Sequence, residues 1–192
     1  MDKREELCRI AKMLYERGLV SGTDGNISVK TENNTVLITP SGVNKGMLDP
    51  ECLLELNMEG IVVSGSGKSS RESGMHLGIY QTRPEIHAVI HTHPAAATAF
   101  AVCGQTLPDN CLIEVRTVIG RIGLAGYAPA GSEELAKEVR REAADADVIF
   151  LQNHGVITCG TSLMSAFNRM DAVENAAKTI CQAKIIGEIK YF

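Results

Sequence analysis

His91 and His93, two positions apart at the end of the apolar stretch Glu85 to His91, constrain this chain more than any other feature. Side chains two positions apart on a strand leave the same face, so the two imidazoles converge on one point if the stretch is extended. A second apolar run, Val148 to Leu151, is closed by His154, which supplies a third imidazole if the two strands lie side by side. Three neutral imidazoles suit zinc, which binds nitrogen tetrahedrally at about 2.0–2.1 Å; a catalytic zinc takes three protein ligands and leaves one position open. Glu72 is a candidate to hold that position at rest and to leave it when substrate arrives. A lone His-x-His is equally well two unrelated surface histidines. Here three of the five histidines end buried-type strands, and that shifts the reading towards metal.

The expected metal is chemical and not structural. A chain of 192 residues buries roughly 70% of its unfolded surface and needs no metal to fold, so one domain over residues 1–192 is expected. The net charge of -4 offers no basic surface, which excludes a nucleic-acid partner. No apolar run approaches the roughly 18 residues of a membrane span. The cysteines Cys8, Cys52, Cys103, Cys111, Cys159 and Cys181 are scattered without a C-x-x-C pair, and the N-terminus reads as an amphipathic helix instead of a signal peptide. A reducing cytoplasm is the expected location.

Leu7, Ile10, Ala11, Leu14 and Tyr15 predict an amphipathic helix over 2–17 that Gly18 ends. The small-residue loop 21–28 leads into a strand from Ile27, and Asn33-Asn34 turns it into a second strand over 36–39 that empties into Thr39-Pro40-Ser41-Gly42. Two loops rich in Gly, Ser, Thr and Asn at neighbouring strand ends offer N–H groups and hydroxyls to a phosphate. Taken singly, each is also plain turn chemistry. Two strands follow over 53–63, then the polar run 64–70, whose Gly65-Ser66-Gly67-Lys68-Ser69 lacks the G-x-x-x-x-G-K spacing of a nucleotide loop. A helix is predicted over 71–82, with Glu72 in its first turn and His76 one turn on along the same face. The remaining elements read as a strand over 85–91, a helix over 94–102, a strand over 112–118, a Gly-rich passage with Gly120, Gly123 and Gly126, a helix capped by Ser132, a strand over 147–152 continued after Gly155, and a last helix capped by Ser162. The whole predicts an α/β domain, helices on both faces of a largely antiparallel sheet.

Six blocks in order give this chain a resemblance to the class II aldolase and adducin head family, typified by L-fuculose-1-phosphate aldolase. They are Gly22-Thr23-Asp24-Gly25-Asn26-Ile27-Ser28, Thr39-Pro40-Ser41-Gly42, Ser70-Arg71-Glu72 with His76, His91-Thr92-His93, the segment 127–135, and Asn153-His154-Gly155. The resemblance implies a three-layer sandwich with a central, mainly antiparallel sheet flanked by helices. It implies one zinc per subunit on His91, His93 and His154, with Glu72 as the acid/base that also binds the resting metal. Gly25, Asn26, Ser41, Gly42 and Ser70 fall where the family grips the substrate phosphate. The implied assembly is a homotetramer with active sites between subunits.

The implied reaction is reversible cleavage of a ketose 1-phosphate, L-fuculose 1-phosphate or a 5-deoxypentulose 1-phosphate, to dihydroxyacetone phosphate and a short aldehyde. The family alternatives are a methylthioribulose-1-phosphate dehydratase and a sugar-acid phosphate decarboxylase; a glutamate at 72 argues against the epimerase branch. A third possibility, a non-catalytic adducin-like binding module, has no use for Glu72, His91, His93 and His154 at one site. Two departures stand out. Arg71 occupies the position of a second serine, and is expected to take part in the phosphate grip. No tyrosine occurs between Tyr80 and Tyr127, where related aldolases carry a proton donor; because related aldolases also carry a tyrosine on a C-terminal tail, the resemblance offers Tyr191 as the candidate, with Tyr127 as its weaker rival.

Overall fold

In the computed structural model, which describes residues 2–192, Leu7, Ile10, Ala11 and Leu14 form the buried stripe of helix α1, Lys3–Glu16, while Tyr15, read as part of that stripe, is exposed. Gly18, in left-handed backbone at φ 68°, ends it as expected, and the Leu19 N–H returns to the Leu14 carbonyl at 2.9 Å. The strands are β1 Asn26–Lys30, β2 Val36–Ile38, β3 Leu54–Leu56, β4 Val62–Ser64, β5 Ala88–Thr92, β6 Ile122–Ala125, β7 Val148–Leu151 and β8 Gly155–Gly160. They form one sheet in the order β4-β3-β2-β1-β5-β8-β7-β6, antiparallel throughout except for β6 beside β7.

The other helices are α2 Ser73–Thr82, α3 Ala95–Val102, α4 Glu133–Ala143 and α5 Leu163–Ile186. Strand alternation sorts them into two layers. Ile27, Val29, Ala88 and Ile90 point towards α1, α3 and α5, where Leu14, Phe100, Phe167 and Met170 complete one core. Val89, Ile149, Leu151 and Ile157 point the other way, against Met75 and Ile79 of α2 and Leu135 and Val139 of α4. This is the expected three-layer sandwich, and burying each such side chain contributes roughly 1.5–3 kcal/mol. Ser132 and Ser162 cap α4 and α5 as predicted, accepting from Leu135 N and Ser165 N at 3.1 Å each.

Three local expectations change. Residues 112–118 are not a strand: Val115–Ile119 form a π-type turn, and the strand comes later, as β6. The β-branched residues there suggested extension, but the buried pair is Val115 and Ile119, four apart, while Ile113 and Val118 are exposed. β6 lies in the Gly-rich passage because Gly123 lets the sheet approach α4; a Cβ there would meet Glu142 Cβ at 2.9 Å and Ala146 Cβ at 3.3 Å. Glu72 is the residue preceding α2 and not part of its first turn. The two histidine-ending strands are not neighbours either, since β8 lies between β5 and β7.

Candidate active site

His91 is the fourth residue of β5 and is fully buried. It stands opposite Asn26 of β1 on one side and Ile157 of β8 on the other. His93 follows just past the strand end, before Pro94 and α3. His154 lies in the turn from β7 to β8, closed by the His154 N–H on the Leu151 carbonyl at 3.0 Å, with Asn153 in left-handed backbone at φ 59°. Asparagine tolerates that conformation better than most residues. Thus β8 does bring His154 to the end of β5, by running alongside it. The ligand atoms of the three histidines lie within 4.8 Å of one another.

The protonation of His91 follows from its surroundings. Its Nδ1 faces the Val156 carbonyl at 3.0 Å, and a carbonyl only accepts, so the proton sits on Nδ1 and Nε2 keeps its lone pair. Burial first, then the neighbouring His93 and His154, holds this imidazole well below its ordinary pKa; burial and His154 lower His93 likewise. Glu72 completes the cluster, with Oε2 3.4 Å from His91 Nε2 and Oε1 3.2 Å from His154 Nε2. Oε1 is buried without a hydrogen-bond donor. Three imidazole nitrogens and a buried carboxylate oxygen without a hydrogen-bond donor converge on one point, and this donor set fits a divalent metal of the nitrogen-preferring kind.

A cavity of about 200 Å³ opens from this cluster, lined by Thr23, Asp24, Gly25 and Asn26, by Pro40, Ser41 and Gly42, by Ser70, Arg71 and Glu72, and by His93, Ala130 and His154. Every residue expected at the phosphate is therefore at its wall. The loops are braced from behind: Ser41 N–H donates to the Lys68 carbonyl of the run before Ser70 at 2.9 Å, and the buried Lys45 ammonium, donating to the Thr23 and Val43 carbonyls at 2.9 Å each, joins the loop at 21–28 to the chain after Gly42. Burial lowers the pKa of Lys45. Sequence reading missed Lys45, because nothing in Val43-Asn44-Lys45 distinguishes a lysine folded beneath a loop from a solvated one. Arg71 lines the opening, and no carboxylate among the described residues forms an ion pair with it.

Asn26 sits deeper than a phosphate ligand alone requires. Its Nδ2 donates to Glu72 Oε2 at 2.8 Å and to Ser70 Oγ at 3.2 Å, so it joins the loop side of the cavity to the carboxylate. Tyr191 is not brought to the site. It lines a separate cavity with Phe100, Gln105 and Lys184, at the C-terminal end of α3, whereas the histidines stand at the N-terminal end. The eight residues of α3 separate them by about 12 Å of helix. The Phe192 N–H holds this tail to the Asn110 carbonyl at 3.0 Å.

Residues 5–181 match the family described as Class II Aldolase and Adducin N-terminal domain. The chain is 36% identical over 174 residues to L-fuculose phosphate aldolase of Methanococcus vannielii, covering 91% of this chain and 93% of the relative. It is also 36% identical over 182 residues to 3-oxo-tetronate 4-phosphate decarboxylase of Escherichia coli, covering 92% and 85%. The solved structure of an L-fuculose 1-phosphate aldolase superposes with a TM-score of 0.92 at 34% identity, over 98% of this chain and 89% of that one.

Proposed function

Because this chain belongs to the class II aldolase and adducin family and is an enzyme of its aldolase-type lyases, we propose that it reversibly cleaves a ketose 1-phosphate to dihydroxyacetone phosphate and a short aldehyde. L-fuculose 1-phosphate or a 5-deoxypentulose 1-phosphate is the proposed substrate. The observation that carries this reading is the position of Glu72, touching both His91 and His154 at the floor of a cavity walled by hydroxyl and amide donors. Zinc held by His91, His93 and His154 would supply Lewis acidity for the ketose carbonyl.

The protein's own part is binding and proton transfer. Gly25, Asn26, Ser41, Gly42 and Ser70, with Arg71 at the opening, are the proposed phosphate grip, fixing the sugar with its carbonyl towards the histidines. Breaking the C3–C4 bond leaves an electron pair at C3 and turns the C4 hydroxyl into an aldehyde, so one proton leaves the C4 oxygen and one arrives at C3. Glu72 is the group placed to carry the proton at C3, since a carboxylate that moves off the histidines is free to act as base and acid. No cavity-lining residue is a tyrosine. We therefore assign Tyr191, which is 56% exposed, to a neighbouring subunit's site in a homotetramer.

A second reading is favoured by the equal similarity to the decarboxylase and by the unpaired Arg71. Loss of carbon dioxide from a 3-oxo sugar-acid 4-phosphate also leaves the enediolate of dihydroxyacetone phosphate, and Glu72 would protonate the same carbon. The test is to incubate the metal-loaded protein with ketose 1-phosphates and with 3-oxo-tetronate 4-phosphate, measuring aldehyde and carbon dioxide separately. Dihydroxyacetone phosphate with aldehyde supports the aldolase, with carbon dioxide the decarboxylase. Neither product from any phosphosugar overturns both.

A further inference from the structure

His76 is fully buried on α2 and takes no part in the chemistry above, yet it stands at the centre of a chain of hydrogen bonds that ends on Glu72. Its Nδ1 is 2.6 Å from Ser28 Oγ, and its Nε2 is 2.5 Å from Asn26 Oδ1. Ser28 Oγ in turn is 2.7 Å from the buried Tyr80 hydroxyl. Asn26 passes the chain on, its Nδ2 lying 2.8 Å from Glu72 Oε2. Strand pairing explains the alignment: Asn26 and Ser28 leave β1 on the face that α2 covers, and His76 and Tyr80 are one helical turn apart on α2.

The direction of every bond follows from the carboxylate. An ionised Glu72 only accepts, so the Asn26 amide must turn its NH₂ towards it and its oxygen towards His76. That oxygen only accepts, so His76 carries its proton on Nε2. A neutral imidazole protonated there has a bare Nδ1, which must accept from Ser28, and the Ser28 oxygen then accepts from Tyr80. Burial keeps both ends of this assignment in place: it pushes His76 down to about 3, so the ring stays neutral, and raises the Tyr80 phenol, which stays a donor.

We propose that His76 is a positioning residue that locks the Asn26 amide with its NH₂ on Glu72, with Ser28 and Tyr80 fixing the His76 tautomer from behind. An asparagine amide turned over would aim its oxygen at the carboxylate and take the NH₂ away from Ser70. The orientation of the amide thus decides whether the site can hold Glu72 where it meets both histidines. The proposal rests on Glu72 being the acid/base of this site.

The test has one readout that needs no turnover and one that does. Long-range proton–nitrogen correlation spectra of the full chain report which imidazole nitrogen of His76 is protonated. The Nε2–H form is expected between pH 6 and 8, and an Nδ1–H or doubly protonated ring overturns the proposal. For turnover, His76→Leu removes the donor, whereas His76→Gln places an amide N–H near the position of Nε2. The Leu variant is expected to lose about 10- to 100-fold in kcat, the effect of misdirecting one hydrogen bond to a charged group, with most of it recovered in the Gln variant. A Leu variant within about twofold of the parent, or a Gln variant as poor as a folded Leu variant, overturns the proposal. Should no phosphosugar be turned over, the functional reading fails and the tautomer alone decides this one; it does so equally if His76→Leu fails to fold.

Discussion

Gly155 runs directly against the imidazole of His93: a Cβ at Gly155 would fall onto His93 Cδ2 and lie 2.7 Å from the Thr92 carbonyl. The hairpin that presents His154 is therefore packed onto the residue that presents His93. Gly155→Ala is expected to push His93 out of line and weaken zinc binding by about 10- to 100-fold, the range found when the support of a metal ligand is disturbed. Competition with a zinc-binding dye measures it, and unchanged affinity would show that the contact relaxes without moving the ring.

Glu72→Gln keeps the shape of the side chain and removes its basicity. Turnover should fall by about 10² to 10⁴ while zinc content and affinity for phosphoglycolate are retained. Near-parental turnover in this variant would remove Glu72 from the mechanism.

Arg71→Ser should weaken inorganic phosphate binding by about tenfold or more, because a guanidinium gives phosphate two charge-assisted donors and a hydroxyl gives one. If Arg71 instead recognises a substrate carboxylate, inorganic phosphate and ketose phosphates will bind alike in both proteins, and only the carboxylate-bearing ligands, phosphoglycolate and the sugar-acid phosphate, will suffer.

His76 predicts how stability depends on pH. Its folded pKa is about 3, whereas in the unfolded chain it is near 6.5. Between those values the unfolded state holds a proton that the folded state refuses, so acidification destabilises the fold by up to about 1.4 kcal/mol per pH unit from this group. The full contribution is present above pH 6.5 and is lost as pH falls towards 3. Urea unfolding in chelator at several pH values should give a shallower acid slope for His76→Gln than for the parent. Equal slopes would mean that the ring is protonated inside the fold.

Deleting Tyr191 and Phe192 should lower turnover without changing zinc content if the tail serves a neighbouring subunit. Because Phe192 also lies over Arg116, with the guanidinium 5.0 Å from its ring, thermal stability should be followed in the same samples. Full activity in the truncated chain would end the catalytic role of the tail.

What sequence made legible was whatever depends on local spacing. The His-x-His register and the serine caps each express a period of two or a short-range hydrogen bond, and they stand as read. The π-type turn at Val115–Ile119 and the glycine-bearing strand β6 were not legible, because their form is decided by α4 and by a core on which residues far away in the chain converge. The same limit hid Lys45, Ser28 and Tyr80. Their importance lies in which buried atoms they face, and that is fixed only when β1, α2 and the phosphate loops are together. His76 was visible as part of a family block, but its partner proved to be Asn26, across the sheet face, and not Glu72 four residues before it.

The order of the sheet also sets when the metal site can exist during folding. β8 sits between β5 and β7, so His154 meets His91 only once a hairpin from some 65 residues further along the chain has paired with β5. Such distant pairing is slow compared with local helix and hairpin formation. A nascent chain lacking its last fifty residues would carry two of the three proposed ligands, and if they hold a metal as proposed, tight metal uptake would mark the moment the sheet closes.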